Sequence, residues 1–295
     1  MHKNTLISFL LAITMVSCIS KTNLVQSPIV FNPVIGHEVR SDNMSVPFPE
    51  DKSFGVWAMD DNTSTEYISD TEVRCSDNVW TSGALPLWPA SSTLTFYAYS
   101  PCSLPVKFKG GVMKLTGFDT ETYGDELLFA QTASGLNSAQ GDVKLPFTHA
   151  LTRLDMRIAS GFGTDFQVRI DRIVLKNVAT VGDYDSSDSP CWSADESTTT
   201  DIVFFDSERD GQFLAGAKMQ FIGDVHTIIP QQLGASIEVN YSFRADEGGW
   251  IDGQSDSTER IYIEWEPGRQ YTYSLTINEH KLSYTTGIGH WSERQ

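Results

Sequence analysis

Residues 271–277 read YTYSLTI, which places Tyr271, Tyr273, Leu275 and Ile277 on one side of an extended chain and Thr272, Ser274 and Thr276 on the other. Side chains of a strand alternate between faces, so this is the pattern of a strand with one face buried and the other solvated. Residues 237–243, IEVNYSF, repeat it with Ile237, Val239, Tyr241 and Phe243. Residues 54–59, 94–100, 154–158 and 261–265 are further short apolar runs. From residue 28 onward Gly, Pro, Asn, Asp and Ser interrupt such runs at the roughly 8–12-residue spacing of sandwiches and barrels. Lys109-Gly110-Gly111-Val112 fits a two-residue hairpin turn, because Gly-Gly tolerates the positive φ that such turns need, and Pro267-Gly268 signals another turn. No amphipathic helical stretch exceeds about two turns. The chain is expected to be all-β.

The 295 residues offer room for one large or two ordinary domains. The segment 143–158 holds two strand-like runs separated by residues 146–152, with enough strands on either side for a sandwich. Two tandem β-sandwich domains are therefore expected, at residues 29–147 and 148–295. A hydrophobic fraction of 40% with 20% charged residues is ordinary globular composition. The formal charge of −17 provides no basic patch for displacing counterions from nucleic acid, so nucleic acid is not an expected partner.

The N-terminus carries Lys3, an apolar run over residues 6–16 and then Cys18. The run is too short to span a bilayer but has the length of a signal-peptide core. Met15-Val16-Ser17-Cys18 resembles a bacterial lipobox. Residues 1–17 are accordingly expected to be a lipoprotein signal peptide, Cys18 the acylated mature N-terminus, and residues 18–28 a tether. The membrane would be reached through lipid rather than by a spanning segment. Cys75, Cys102 and Cys191 remain; a Cys75–Cys102 disulfide is conceivable, with buried free thiols as the alternative.

No motif announces an active site. The six histidines are scattered, without H-E-x-x-H spacing, and there is no G-x-S-x-G elbow, phosphate loop or dinucleotide fingerprint. Neither enzyme activity, a metal nor a cofactor is expected. Asp183 and Asp185 stand at the first and third positions of a superficially calcium-like loop, but Asp188 and Ala194 occupy the places where an EF-hand needs Gly and Glu, so a solvated acidic loop over residues 182–201 is the better reading. Trp57 and Trp265 lie within alternating runs and are expected in the core. Trp192 and Trp250 lie in polar stretches and are candidates for a glycan-stacking surface.

Residues 29–36, IVFNPVIG, form the first strand candidate, with Ile29, Phe31, Pro33 and Ile35 on one face. Pro33 cannot donate to a ladder, which places the segment at a sheet edge or a bulge. A polar loop containing Arg40 follows and offers a site to a trypsin-like protease. Loss of an N-terminal strand would leave an apolar groove and unpaired backbone groups that a strand from another subunit could fill.

Several stretches together resemble the fimbrillin-like lipoproteins of Bacteroidetes. They are IVFNPVIGHEVR (29–40), FGVWAMD (54–60), WPASSTLTFYAYSP (88–101), DELLFAQTASG (125–135), VKLPFTHALTRLDMRI (143–158), IIPQQL (228–233), SIEVNYSF (236–243) and EPGRQYTYSLTI (266–277). The resemblance implies two transthyretin-like Greek-key sandwiches, export as a lipoprotein to the outer membrane, and assembly with other fimbrial subunits in adhesion to a host protein or glycan. It implies cleavage at Arg40, release of residues 29–36, and replacement by a donor strand from residues 271–291, among them Tyr271, Tyr273, Leu275 and Ile277. Asp256-Ser257-Thr258 resembles a three-residue O-glycosylation acceptor of the phylum.

Overall fold

The computed structural model describes residues 27–36, 45–84, 86–124, 126–232, 234–262, 264–279 and 281–291. Among them the first ten strands are β1 (Phe31–Gly36), β2 (Ser45–Pro47), β3 (Ser53–Asp60), β4 (Thr65–Ser76), β5 (Val79–Ser82), β6 (Leu94–Ser100), β7 (Lys107–Lys109), β8 (Val112–Asp119), β9 (Leu128–Gln131) and β10 (Val143–His149). The rest are β11 (Thr152–Ser160), β12 (Phe166–Ala179), β13 (Val181–Asp185), β14 (Trp192–Ala194), β15 (Thr199–Asp206), β16 (Phe213–Ala215), β17 (Gln220–Ile228), β18 (Ser236–Ala245), β19 (Ile251–Ser257), β20 (Arg269–Asn278) and β21 (Lys281–His290). Helix is confined to single turns. The protein is all-β.

In the first half, β10-β9-β6-β3-β4-β5-β1-β2 form one sheet, and an additional pairing of β1 with β10 closes it. Ile29, Phe31, Phe48, Phe54, Trp80, Phe96 and Phe147 fill its interior, with T-shaped ring pairs such as Phe31–Phe54 at 6.0 Å. In the second half, β17-β11-β20-β21 face β15-β12-β18-β19, to which β16 adds through β12. The alternating rows of β20 and β18 meet in the core between these sheets, where Tyr271, Tyr273, Leu275, Ile277, Ile237, Val239 and Tyr241 are buried together. Trp265 lies in the same core, where its indole donates to Tyr273 Oη at 2.8 Å.

A third core joins the halves. The hairpins β7–β8 and β13–β14, far apart in sequence, form one sheet ordered β14-β13-β8-β7. Beneath it Trp57, Tyr97, Tyr99 and Phe129 from the first half meet Trp192, Ala179 and Ile229 from the second. This explains why SFGVWAMD and LTFYAYS are nearly continuous apolar runs. Phe54, Val56 and Ala58 of β3 enter the first core while Trp57 and Met59 enter the third, and β6 divides its side chains in the same way. A strand buried on both faces does not alternate.

Local expectations fare unevenly. Gly110 and Gly111 adopt φ of 58° and 85° in the β7–β8 turn, and Gly268 has φ 69° after Pro267. Among the described residues, the run at 261–265 makes the isolated bridges Ala235–Ile261 and Gln231–Trp265 rather than a ladder. Cys75, Cys102 and Cys191 are free thiols, so the conceivable Cys75–Cys102 disulfide is absent. Cys102 Sγ instead donates to Glu72 Oε1 at 3.0 Å and lies 3.0 Å from Ser53 Oγ, and Cys75 sits on β4 opposite Trp80.

Candidate assembly site

The first strand is not at an edge. β1 runs parallel to β10, with Phe31 opposite Val143 and Ile35 opposite Phe147, and its other side meets β5 at Trp80 and β2 at Val46 and Pro47. Pro33 is tolerated for a local reason. Val30 O accepts from Val143 N–H at 2.8 Å, so the even-numbered residues of the strand hydrogen-bond to β10 and the odd-numbered ones turn the other way. The N–H that Pro33 lacks would therefore point to where the partner changes from β5 to β2, and its carbonyl still accepts from Phe48 N–H at 3.3 Å. Upstream, Ile29 N–H donates to Pro86 O at 2.8 Å and Trp88 N–H to Ser27 O at 3.0 Å.

Ile29, Phe31 and Pro33 are buried and Ile35 is half-buried against the same core. Phe31 packs edge-on against Phe54 and Phe96. Burial of Ile29 and Phe31 contributes roughly 1.5–3 kcal/mol each, so the strand will not leave spontaneously. Its removal would uncover two unpaired strand edges, those of β10 and β5, above a floor of Phe54, Trp80, Phe96 and Phe147. Cys18 and Arg40 lie outside the described residues.

Tyr271, Tyr273, Leu275 and Ile277, expected to supply a donor strand, lie in the interior of a sheet. β20 is paired on both sides, parallel to β11 and antiparallel to β21, and all four side chains are at most 1% exposed. The other strand within residues 271–291 is β21, the last of its sheet, whose ladder partner among the described residues is β20. Its inner row is Leu282, Tyr284, Thr286 and Ile288, of which only Leu282 is buried and Ile288 remains 57% exposed. This alternation was present in the sequence, KLSYTTGIGH, but the glycines at 287 and 289 dilute it.

Trp192 is not a surface ring. It is 6% exposed, its indole donates to Ala150 O at 2.7 Å, and it packs edge-on against Phe118 and Tyr184. Pairing of β13 with β8 folds the polar loop over the third core and carries the Trp inside. Trp250 stays partly exposed, with the Arg169 and Arg244 guanidinium groups over its ring at 4.7 and 4.8 Å. The two tryptophans therefore form no joint platform. The acidic residues of the 182–201 loop serve local structure: Asp183 accepts from Gly117 N–H at 2.7 Å, and hydrogen bonds from Lys114 and Ser187 hold the Asp185 carboxyl down to a pKa of about 2. In the tripeptide at 256–258, Ser257 is exposed while Thr258 is buried and accepts from Ile237 N–H at 3.0 Å.

Solved structures share this architecture. A fimbrial protein from Bacteroides vulgatus superposes with a TM-score of 0.60 at 14% identity, over 89% of this chain and 99% of that one. Candidate cell adhesion proteins from Bacteroides ovatus (TM-score 0.58, 16% identity, 92% and 99% covered) and Bacteroides uniformis (0.56, 17%, 90% and 98%) are similar to it as well. The class is thus an all-β fold shared with a fimbrial protein and candidate cell adhesion proteins of Bacteroides. The profile of the fimbrillin-like family matches residues 40–291, and the chain belongs to that family. Membership supports a role as a subunit of cell-surface fimbriae. No curated protein sequence matches the chain.

Proposed function

We propose that this protein is a surface lipoprotein, acylated at Cys18, that joins a fimbrium by strand complementation and contributes to adhesion. Cleavage at Arg40 frees β1, and β21 of a neighbouring subunit takes its place. The observation that carries this reading is the match between two inner rows. The departing row is Ile29, Phe31, Pro33 and Ile35; the incoming row is Leu282, Tyr284, Thr286 and Ile288, with the same period and an apolar or aromatic side chain at three of four places. Main-chain bonds to β10 and β5 supply affinity, and the pockets vacated by the first row supply register.

The test is digestion of the full chain with an Arg-specific protease, followed by electrophoresis without heating. A ladder of multimers is expected for the wild type, none for Arg40→Ala, and none for Tyr284→Asp/Ile288→Asp, whose donor row is spoiled while the cleavage site is kept. Release of the N-terminal peptide without any ladder would make strand complementation wrong for this protein.

A further inference from the structure

Among the described residues, the sheet that bridges the halves ends in two unpaired edges of opposite character, β14 and β7. At one end, Asp185 N–H donates to Cys191 O at 2.9 Å and Asp195 N–H to Val181 O at 2.8 Å, so the odd-numbered residues around β14 bond to β13. By the antiparallel alternation, the backbone groups of Trp192 and Ala194 point away from the sheet. They face a cleft of about 500 Å³ whose far wall is Pro230, Gln231 and residues 264–267. Asp188, Glu196, Glu264 and Glu266 are exposed along this cleft, and among the described residues only Glu266 has an ion-pair partner, Arg269.

At the other end, β7 is three residues long and presents Lys107 and Lys109, both exposed. Lys114 is the only lysine of that hairpin with an ion-pair partner among the described residues, Asp185. Phe108 sits opposite Met113 at the non-bonded position of the two-residue hairpin, so its N–H and C=O face outward. Lysines on an edge strand ordinarily deter pairing. Here the opposite edge of the same sheet carries the complementary charge beside an open cleft.

We infer that β7 of one copy docks beside β14 of a second copy, with Lys107 and Lys109 against Glu196 and Glu264, extending the bridging sheet from molecule to molecule. Such a contact is head-to-tail, using a different patch on each partner, and it propagates unless the rotation closes a ring. It requires no cleavage and leaves β1 in place, which separates it from strand complementation.

Sedimentation of the full chain, untreated with protease, tests this at about 0.15 M salt, where the Debye length of about 8 Å screens the overall negative charge but spares contact pairs. The wild type is expected to show concentration-dependent association. Lys107→Glu/Lys109→Glu and Glu196→Lys/Glu264→Lys are each expected to sediment as monomers, since both edges then carry one sign. An equimolar mixture of the two variants is expected to associate again. Circular dichroism confirms that these surface variants are folded. A wild type that stays monomeric, a charge-reversed variant that associates alone, or a mixture that does not recover would overturn the inference. A ladder in the protease assay together with monomeric untreated protein would overturn it while leaving strand complementation standing.

Discussion

Gly55 lacks a side chain because Tyr99 occupies the space. A Cβ there would lie 2.2 Å from Tyr99 Cε1, and Tyr99 has no room to yield, since it stacks on Trp57 at 4.9 Å and donates to Asp70 Oδ1 at 2.9 Å. Burial, followed by the Asp70 hydrogen bond, pushes the Tyr99 phenol far above its ordinary pKa, so it remains a neutral donor. Gly55→Ala is expected to lower stability by about 1–3 kcal/mol through overpacking, read from denaturant midpoints, whereas Gly83→Ala, where a Cβ meets nothing within 4 Å, should be within ~0.5 kcal/mol of wild type. The expected burial of Trp57 and Trp265 is observed, Trp57 on a strand buried on both faces and Trp265 within the second half's core. That of Trp192 depends on β8, distant in sequence, and a single polar loop carries no trace of it.

Among elements, β1 is seated by the burial of Phe31 and Pro33, with Ile29 buried just before it. Phe31→Ala is expected to destabilise the protein by about 3–5 kcal/mol, and to speed loss of the N-terminal peptide after cleavage; stability unchanged by this truncation would show that β1 is not seated as described. Alternation revealed β18 and β20 from the sequence because each faces one core and one solvated surface. Pro33 suggested a sheet edge or a bulge, whereas β1 is paired on both sides, and Pro33 lies where its partner changes from β5 to β2. The run at residues 261–265 had the right alternation, and its described residues make two isolated bridges rather than a ladder.

At the scale of the molecule, the bridging sheet and the core beneath it should make the two halves unfold together. Calorimetry of the wild type is expected to give one cooperative transition. Trp192→Ala removes the indole that donates to Ala150 and packs on Phe118 and Tyr184, and should split that transition in two; a single transition in the variant would show that the halves are coupled elsewhere. None of this coupling was legible in the sequence, where the four strands involved fall into two hairpins on either side of residue 147. The closure of the first sheet has a consequence in time as well as in space. Phe31 has no ladder partner on the β10 side until Val143 has been synthesised, and closing so long a loop is slow. The pairing of β1 with β10 thus joins residues more than a hundred positions apart, and until it forms the edge of β10 is open to another strand.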